Sequence, residues 1–250
     1  MTRRILPVLF CLLCPTLSGA AAAAEPNRFA AELEGGPVWQ TRNDVRIPGD
    51  TGTEISLVDV LGDGPFAAGR AYLTWDVSRK GSLRLLIAPL GIEGDGTLAD
   101  SVDFAGETFA PGSVDAAYKF NSYRLTYRYL LHDGERWQWR LGLTGKVRDA
   151  RIALAQPGRA AEKADVGFVP LLNLNGSVAL SPRLHLELDA DGLAAPQGRA
   201  FDVALKGRYA LGSRAELAAG YRTVEGGADN DEVYTFAWLH YAVASLTYRF

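Results

Sequence analysis

Ser245-Leu246-Thr247-Tyr248-Arg249-Phe250 closes the chain, and its reading decides the fold. Side chains alternate between the two sides of a strand, so Phe250, Tyr248, Leu246, Ala244 and Ala242 share one apolar face. The residues between them fall on the other side. The same period of two recurs upstream. In Phe201–Leu211 one face reads Phe201, Val203, Leu205, Gly207, Tyr209, Leu211, and the other Asp202, Ala204, Lys206, Arg208, Ala210. Leu184, Leu186, Leu188 and Ala190 oppose Arg183, His185, Glu187, Asp189 and Asp191. Trp137, Trp139, Leu141 and Leu143 oppose Arg136, Gln138, Arg140, Thr144, Lys146 and Arg148, and Ala71, Leu73, Trp75 and Val77 oppose Arg70, Tyr72, Thr74, Asp76 and Ser78.

A soluble sandwich also alternates. Here, however, the strands run beyond about ten residues with both faces strongly typed to their ends, as a membrane-crossing strand requires. Tight turns are expected at Arg79-Lys80-Gly81, His132-Asp133-Gly134-Glu135, Ser181-Pro182 and Gly212-Ser213, each carrying Gly, Pro, Ser or Asp. Longer polar connections are expected at 41–69, 93–115, 155–164, 193–198 and 226–231. Short and long connections alternate, and together they join ten strands. A short strand or helix at Ile55–Val60 would leave eight or twelve open. Aromatic residues gather near the turns (Tyr129, Trp137, Trp139, Tyr209, Tyr248, Phe250) and near the loops (Tyr221, Tyr234, Phe236, Trp238), where interfacial girdles belong.

These features resemble bacterial outer-membrane β-barrels, whose last strand ends in an aromatic residue. The resemblance covers residues 25–250 at the level of architecture and names no functional family. It implies an all-β, transmembrane antiparallel barrel in the cell outer membrane, a monomer surrounded by outer-membrane lipid and lipopolysaccharide. It also implies that Phe250 is read by the barrel-insertion machinery. The amino terminus agrees. Arg3 and Arg4, an apolar run from Ile5 to Leu17 and small residues from Ser18 to Ala24 have the layout of a secretory signal peptide over residues 1–24. Cys11 and Cys14 both fall inside it; Leu13 before Cys14 departs from the small residue that a lipid-anchor site wants. The remaining chain has no cysteine, so neither a disulfide framework nor thiolate chemistry is available. Removing the leader takes the formal charge from −3 to −5, against nucleic acid as a partner.

The face opposite the apolar one is charged. Glu32, Glu34, Asp76, Glu187, Asp189, Asp191, Asp202 and Glu216 stand against Arg70, Arg84, Arg124, Arg128, Arg140, Lys146, Arg148, Lys206, Arg208 and Arg222. Long side chains largely fill a barrel this narrow. An unpaired charge there is costly, so an Arg–carboxylate network is expected.

His185, Asp189 and Asp191 share one face of a strand. Acids beside a histidine resemble the omptin proteases, ten-stranded barrels that work with acid and histidine pairs at the extracellular rim, although His185 falls toward the periplasmic end here. His240 counts onto the lipid face, as the histidines of lipid A deacylases and outer-membrane phospholipases do. The nearby same-face serine is missing, and a bulge near 239–242 that turns His240 inward is the expectation. No HExxH, GxSxG, P-loop or zinc spacing occurs. The acidic loop residues Asp59 and Asp63 lack EF-hand spacing. No cofactor or metal is therefore expected. The function expected is a non-enzymatic envelope or surface role with a charge-filled lumen, with an outer-membrane lipid or peptide hydrolase, or a small passive pore, as the alternatives.

Overall fold

The computed structural model describes residues 28–250; the leader expected at 1–24 lies outside them. Strands follow one another as β1 (Phe29–Arg46), β2 (Ile55–Ser56), β3 (Phe66–Asp76), β4 (Gly81–Ala88), β5 (Gly91–Leu98), β6 (Val102–Phe104), β7 (Glu107–Phe109), β8 (Gly112–Asp133), β9 (Trp137–Gln156), β10 (Arg159–Ala179), β11 (Leu184–Ala195), β12 (Gly198–Ala210), β13 (Ala215–Asp229) and β14 (Tyr234–Arg249). One short helix, α1 (Leu57–Leu61), lies between β2 and β3. β4 and β5 keep one register against β8, interrupted only at Pro89 and Leu90, and act as a single wall strand. With them the barrel has ten antiparallel wall strands, which removes the alternatives of eight and twelve.

Closure is made by the first and last strands. β1 and β14 pair from Ala30↔Arg249 to Arg46↔Tyr234. Phe250 N–H donates to Phe29 O at 2.9 Å, and Phe29 N–H donates to Phe250 O at 3.2 Å. The rings stack in a row, Phe250 on Phe29 and Phe29 on Trp75, each pair 6.0 Å between centroids. Both ends of the barrel sequence thus meet at one rim, here the terminal rim. Outside the wall, Leu33, Leu143, Leu172, Leu205 and Leu217 stand exposed in a broad apolar band. Exposed leucine on every wall strand, over a lower-wall ladder interrupted by a bulge at Leu131, suits hydrocarbon rather than water.

The four turns of the terminal rim lie where the sequence puts them, at 77–80, 134–136, 180–183 and 211–214. At the opposite, outer rim the expected long loops need correction. Strand pairing continues through 155–156 and 159–164 to a turn at Pro157-Gly158, through 193–195 to Pro196-Gln197, and to Asp229↔Tyr234. Above the apolar band both faces of a strand become polar, so alternation fades while the hydrogen-bonded ladder goes on. The two remaining connections are folded. Residues 47–65 carry β2 and α1, the element anticipated at Ile55–Val60, and 99–111 carry the β6–β7 hairpin. Gln40 fastens α1, its Nε2 donating to Gly62 O at 2.5 Å.

A second correction concerns the interior. Its half near the terminal rim is polar, but its outer half is an apolar core. Val38, Leu57, Ile92, Phe104, Phe109 and Leu154 are essentially inaccessible there, under a cap formed by α1 and β6–β7. Strands approach one another closely in places, and a Cβ on Gly220 would lie 2.1 Å from Leu205 O. Because that contact is backbone, relief requires strand movement. Gly220→Ala should lower stability by about 1–3 kcal/mol, read as a reduced urea midpoint in detergent micelles; an unchanged midpoint would contradict the close approach.

Candidate functional site

The lumen holds one ion network. Arg70, Arg84, Arg124, Arg128, Lys206, Arg208 and Arg222 face Glu32, Glu34, Glu187, Asp189, Asp191, Asp202 and Glu216, seven charges of each sign. Asp202 is its hub, meeting Arg222 at 2.5 Å, Arg124 at 2.8 Å and Arg70 at 3.0 Å. Asp189 holds Arg128 at 2.6 Å and Arg84 at 2.7 Å. Lys206 bridges Glu32 and Glu34 at 2.7 and 2.8 Å, while Arg208 spans Glu32, Glu187 and Glu216.

Neutral residues complete the network. Asn173 Nδ2 donates to Asp191 at 2.8 Å and Asn175 Nδ2 to Glu187 at 3.1 Å. Thr144 donates to Asp191, Ser245 to Glu32, and Tyr72 accepts from Arg222. Alternation alone puts Asn173, Asn175, Thr144 and Ser245 on the lumen side. The sequence reading placed Thr144 on that face, but it drew the expected network from charged residue types and so left these four out of it.

Four residues expected in this network lie outside its ion pairs. Arg140 and Asp76 sit near the terminal mouth, and among the described residues no ion pair joins either to the network. Lys146 is 4 % exposed, and its ammonium lies 4.8 Å from the Phe120 ring centroid. Among the described residues it has no ion pair and no hydrogen bond. Arg148 turns to Asp165 near the outer rim instead.

The protease-like constellation does not assemble. Asp189 and Asp191 are buried among arginines, whereas His185 sits near the terminal rim opposite Arg208 and bonds to neither acid. The loop acids do not converge either: among the described residues no group of three or more His, Cys, Asp or Glu could hold a metal.

His240 needs a separate correction. The bulge lies in β1, where the register shifts between Gln40 and Arg42, and not in β14. Leu239 and Tyr241 point inward, so His240 stays outside. Thr41, the extra residue of the bulge, has its Oγ1 2.8 Å from His240 Nε2, and Tyr221 Oη lies 2.5 Å from Nδ1. Trp238 tilts against the imidazole at 5.3 Å. One ring nitrogen accepts from a hydroxyl while the other donates, so the imidazole is held from both sides. Alternation from Leu33 already puts Thr41 on the outward face; the bulge leaves it without a cross-strand partner, beside His240, and reverses the faces beyond it so that Asn43 and Val45 turn inward.

Above the apolar band runs a collar of ion pairs on the outer wall, with Arg42–Asp44 at 2.6 Å, Arg199–Glu225 at 2.7 Å and Lys119–Asp149 at 2.8 Å. Hydrogen bonds from Lys119, and secondarily Asn121, hold the half-buried Asp149 carboxyl below its usual range. Inside the wall at this height is an open cavity of about 890 Å³. Arg124 and Lys146 lie at its depth, Tyr118, Phe120, Leu171 and Leu239 on its walls, and Asn230 and Asp231 at its mouth.

Removing one partner from a buried pair strands the others. Asp202→Asn should cost about 3–5 kcal/mol of stability, against at most about 1 kcal/mol for Glu225→Gln in the exposed collar. Chemical denaturation of the two variants in one detergent compares them; equal losses would mean that the lumen charges are hydrated rather than mutually held.

No protein-family model matches this chain, and no curated protein does. Among solved structures, the outer-membrane protease OmpT from Escherichia coli is similar over 90 % of this chain and 97 % of its own, with a TM-score of 0.53 and 13 % identity. The attachment invasion locus protein Ail of Yersinia pestis covers 89 % of this chain and 99 % of its own, at a TM-score of 0.41 and 7 % identity. Neisserial surface protein A covers 89 % and 97 %, at 0.39 and 9 %. At such identities the likeness to OmpT is one of fold: this chain is a transmembrane β-barrel of the kind found in Gram-negative outer membranes.

Proposed function

We propose that this chain is an integral protein of the Gram-negative outer membrane with a non-enzymatic surface role, and that it works by binding at its outer end rather than by conducting through its lumen. The observation that carries the reading is the balanced ion network. Seven cations and seven carboxylates, tied together by buried hydrogen bonds, fill the lumen on the terminal side. A path for ions would have to break several of these pairs at once. Above them the interior widens into the open cavity. In this reading the terminal rim faces the periplasm, residues 1–24 direct export, Phe250 serves barrel insertion, and the monomer's collar meets lipid and lipopolysaccharide.

Two measurements test it. Cell fractionation should recover the chain in the outer membrane, migrating faster in electrophoresis unboiled than boiled. Planar bilayers holding purified protein should stay silent, while Asp202→Ala combined with Arg222→Ala should admit small conductance steps. Regular steps from the unaltered protein would overturn the blocked-lumen reading.

One observation favours a second reading. The Thr41–His240–Tyr221 arrangement faces the surroundings of the barrel at the upper edge of the apolar band, and a hydroxyl on a histidine nitrogen is the start of nucleophilic hydrolysis. If it acts on lipid esters, purified protein hydrolyses phospholipid in mixed micelles and His240→Ala abolishes that while the heat-dependent mobility shift persists. Absence of ester hydrolysis in the unaltered protein removes this reading.

A further inference from the structure

The wall is complete only in its lower part, and it splits twice toward the outer rim. β3 pairs with β4 no higher than Ala71↔Ile87, so β5 has β8 on one side only. α1 fills that split: Val60 and Leu61 lie against Gly96 and Gly94 of β5. The second split is between β10 and β11. Their pairing stops at Leu172↔Gly192, while β10 continues to Arg159 with β9 as its sole strand partner. Pro170 stands just past the last rung, and a proline has no amide hydrogen to offer a neighbouring strand. Among the described residues no helix or strand covers this opening.

The split joins the cavity to the outside of the barrel. The cavity lining includes Phe168 and Phe201, which belong to the outward face and are 71 % and 39 % exposed. It also includes Lys146, deep on the lumen face. On β9 and β12 the outward faces turn from Val147 to Asp149 and from Phe201 to Arg199, so the opening coincides with the upper edge of the apolar band. Whatever enters there comes from the outer part of a lipid layer.

Charge gives the ligand's other end. The ion network is neutral without Lys146, which adds a basic group outside its ion pairs, buried and facing the cavity, against the Phe120 ring and near Arg124, Arg148 and Asp202. Beside it the buried Nε of Arg148 has no hydrogen-bond partner. Such a buried ammonium is costly to keep charged, and it gives up its proton unless an anion completes it. The cavity volume of about 890 Å³ falls in the range of small-molecule sites, roughly 300–1,000 Å³.

We propose that the cavity takes up a single-chain anionic amphiphile, a fatty carboxylate, from the surrounding lipid through the slot between β10 and β11. Its chain lies along Tyr118, Leu171 and Leu239, and its carboxylate accepts hydrogen bonds from Lys146. This inference rests on the membrane-embedded, blocked-lumen reading, but it can fail alone, because fractionation and bilayer recordings judge that reading without reference to any ligand.

The probes are dodecanoate and dodecan-1-ol, titrated calorimetrically into the full mature chain in a non-ionic detergent. Saturable dodecanoate binding is expected, weakened about tenfold or more by Lys146→Met, with dodecan-1-ol affinity unmoved and dodecanoate binding retained in Lys146→Arg. Lys146→Gln serves if Lys146→Met does not fold. Folded Lys146→Met with unaltered dodecanoate affinity, or unaltered protein that takes up no dodecanoate, overturns the proposal. For the route, Val169→Cys and Leu193→Cys are bridged by a bifunctional maleimide in a mature chain that has no other cysteine. Slower uptake of dodecanoate from liposomes supports the slot, and an unchanged rate overturns it.

Discussion

The structure depends on charge neutrality inside a narrow ring of strands. Fourteen ionised groups sit where bulk water is largely excluded, and each is tolerable only because its counter-charge is within hydrogen-bonding reach. Asp202 illustrates the coupling: β12 supplies it, while Arg70, Arg124 and Arg222 come from β3, β8 and β13. Strands far apart along the chain are therefore held at fixed relative positions by one carboxylate. The seam between Phe29 and Phe250 closes the ring from outside, and the network ties it from within.

The outer half is built on a different principle. There the inward residues are apolar, and the space is filled by polypeptide instead of by long charged side chains. The cap of α1 and β6–β7 lets a strand split between β3 and β5 be sealed without a complete ladder. The split between β10 and β11 has the same origin, wall strands that stop pairing, and no such cover. The proposed binding at the outer end rests on that asymmetry. Above a neutral base lie the open cavity, the buried Lys146 and, among the described residues, a side opening in the part of the wall near the upper edge of the apolar band.

Much of this was legible from the residues. Alternation in β11, β12 and β14 identified the apolar outside and the charged inside, and the alternating short and long connections pointed to ten wall strands, with eight and twelve left for the structure to remove. The readings that failed did so where alternation ceases to carry information. Residues 155–164 and 193–198 looked like loops because a strand above the membrane is polar on both faces, although its backbone pairing is uninterrupted. His240 was expected to turn inward because a bulge was placed in its own strand. The bulge is at Thr41, on the neighbouring strand, and reverses the faces of β1 beyond Thr41 while His240 keeps its own.

By itself, the order of residue types determined that this chain forms a closed antiparallel sheet, which side chains meet hydrocarbon and which acids and bases share the interior. Those are consequences of a two-residue period acting locally along each strand. Only the tertiary structure decided which charge meets which, since partners such as Arg222 and Glu34 lie 188 residues apart and are matched by barrel register. It also decided that Lys146 is left over, that α1 closes one split, and that the other stays open beside Pro170. Those outcomes depend on where neighbouring strands stop pairing, a property of two strands at once that neither carries alone.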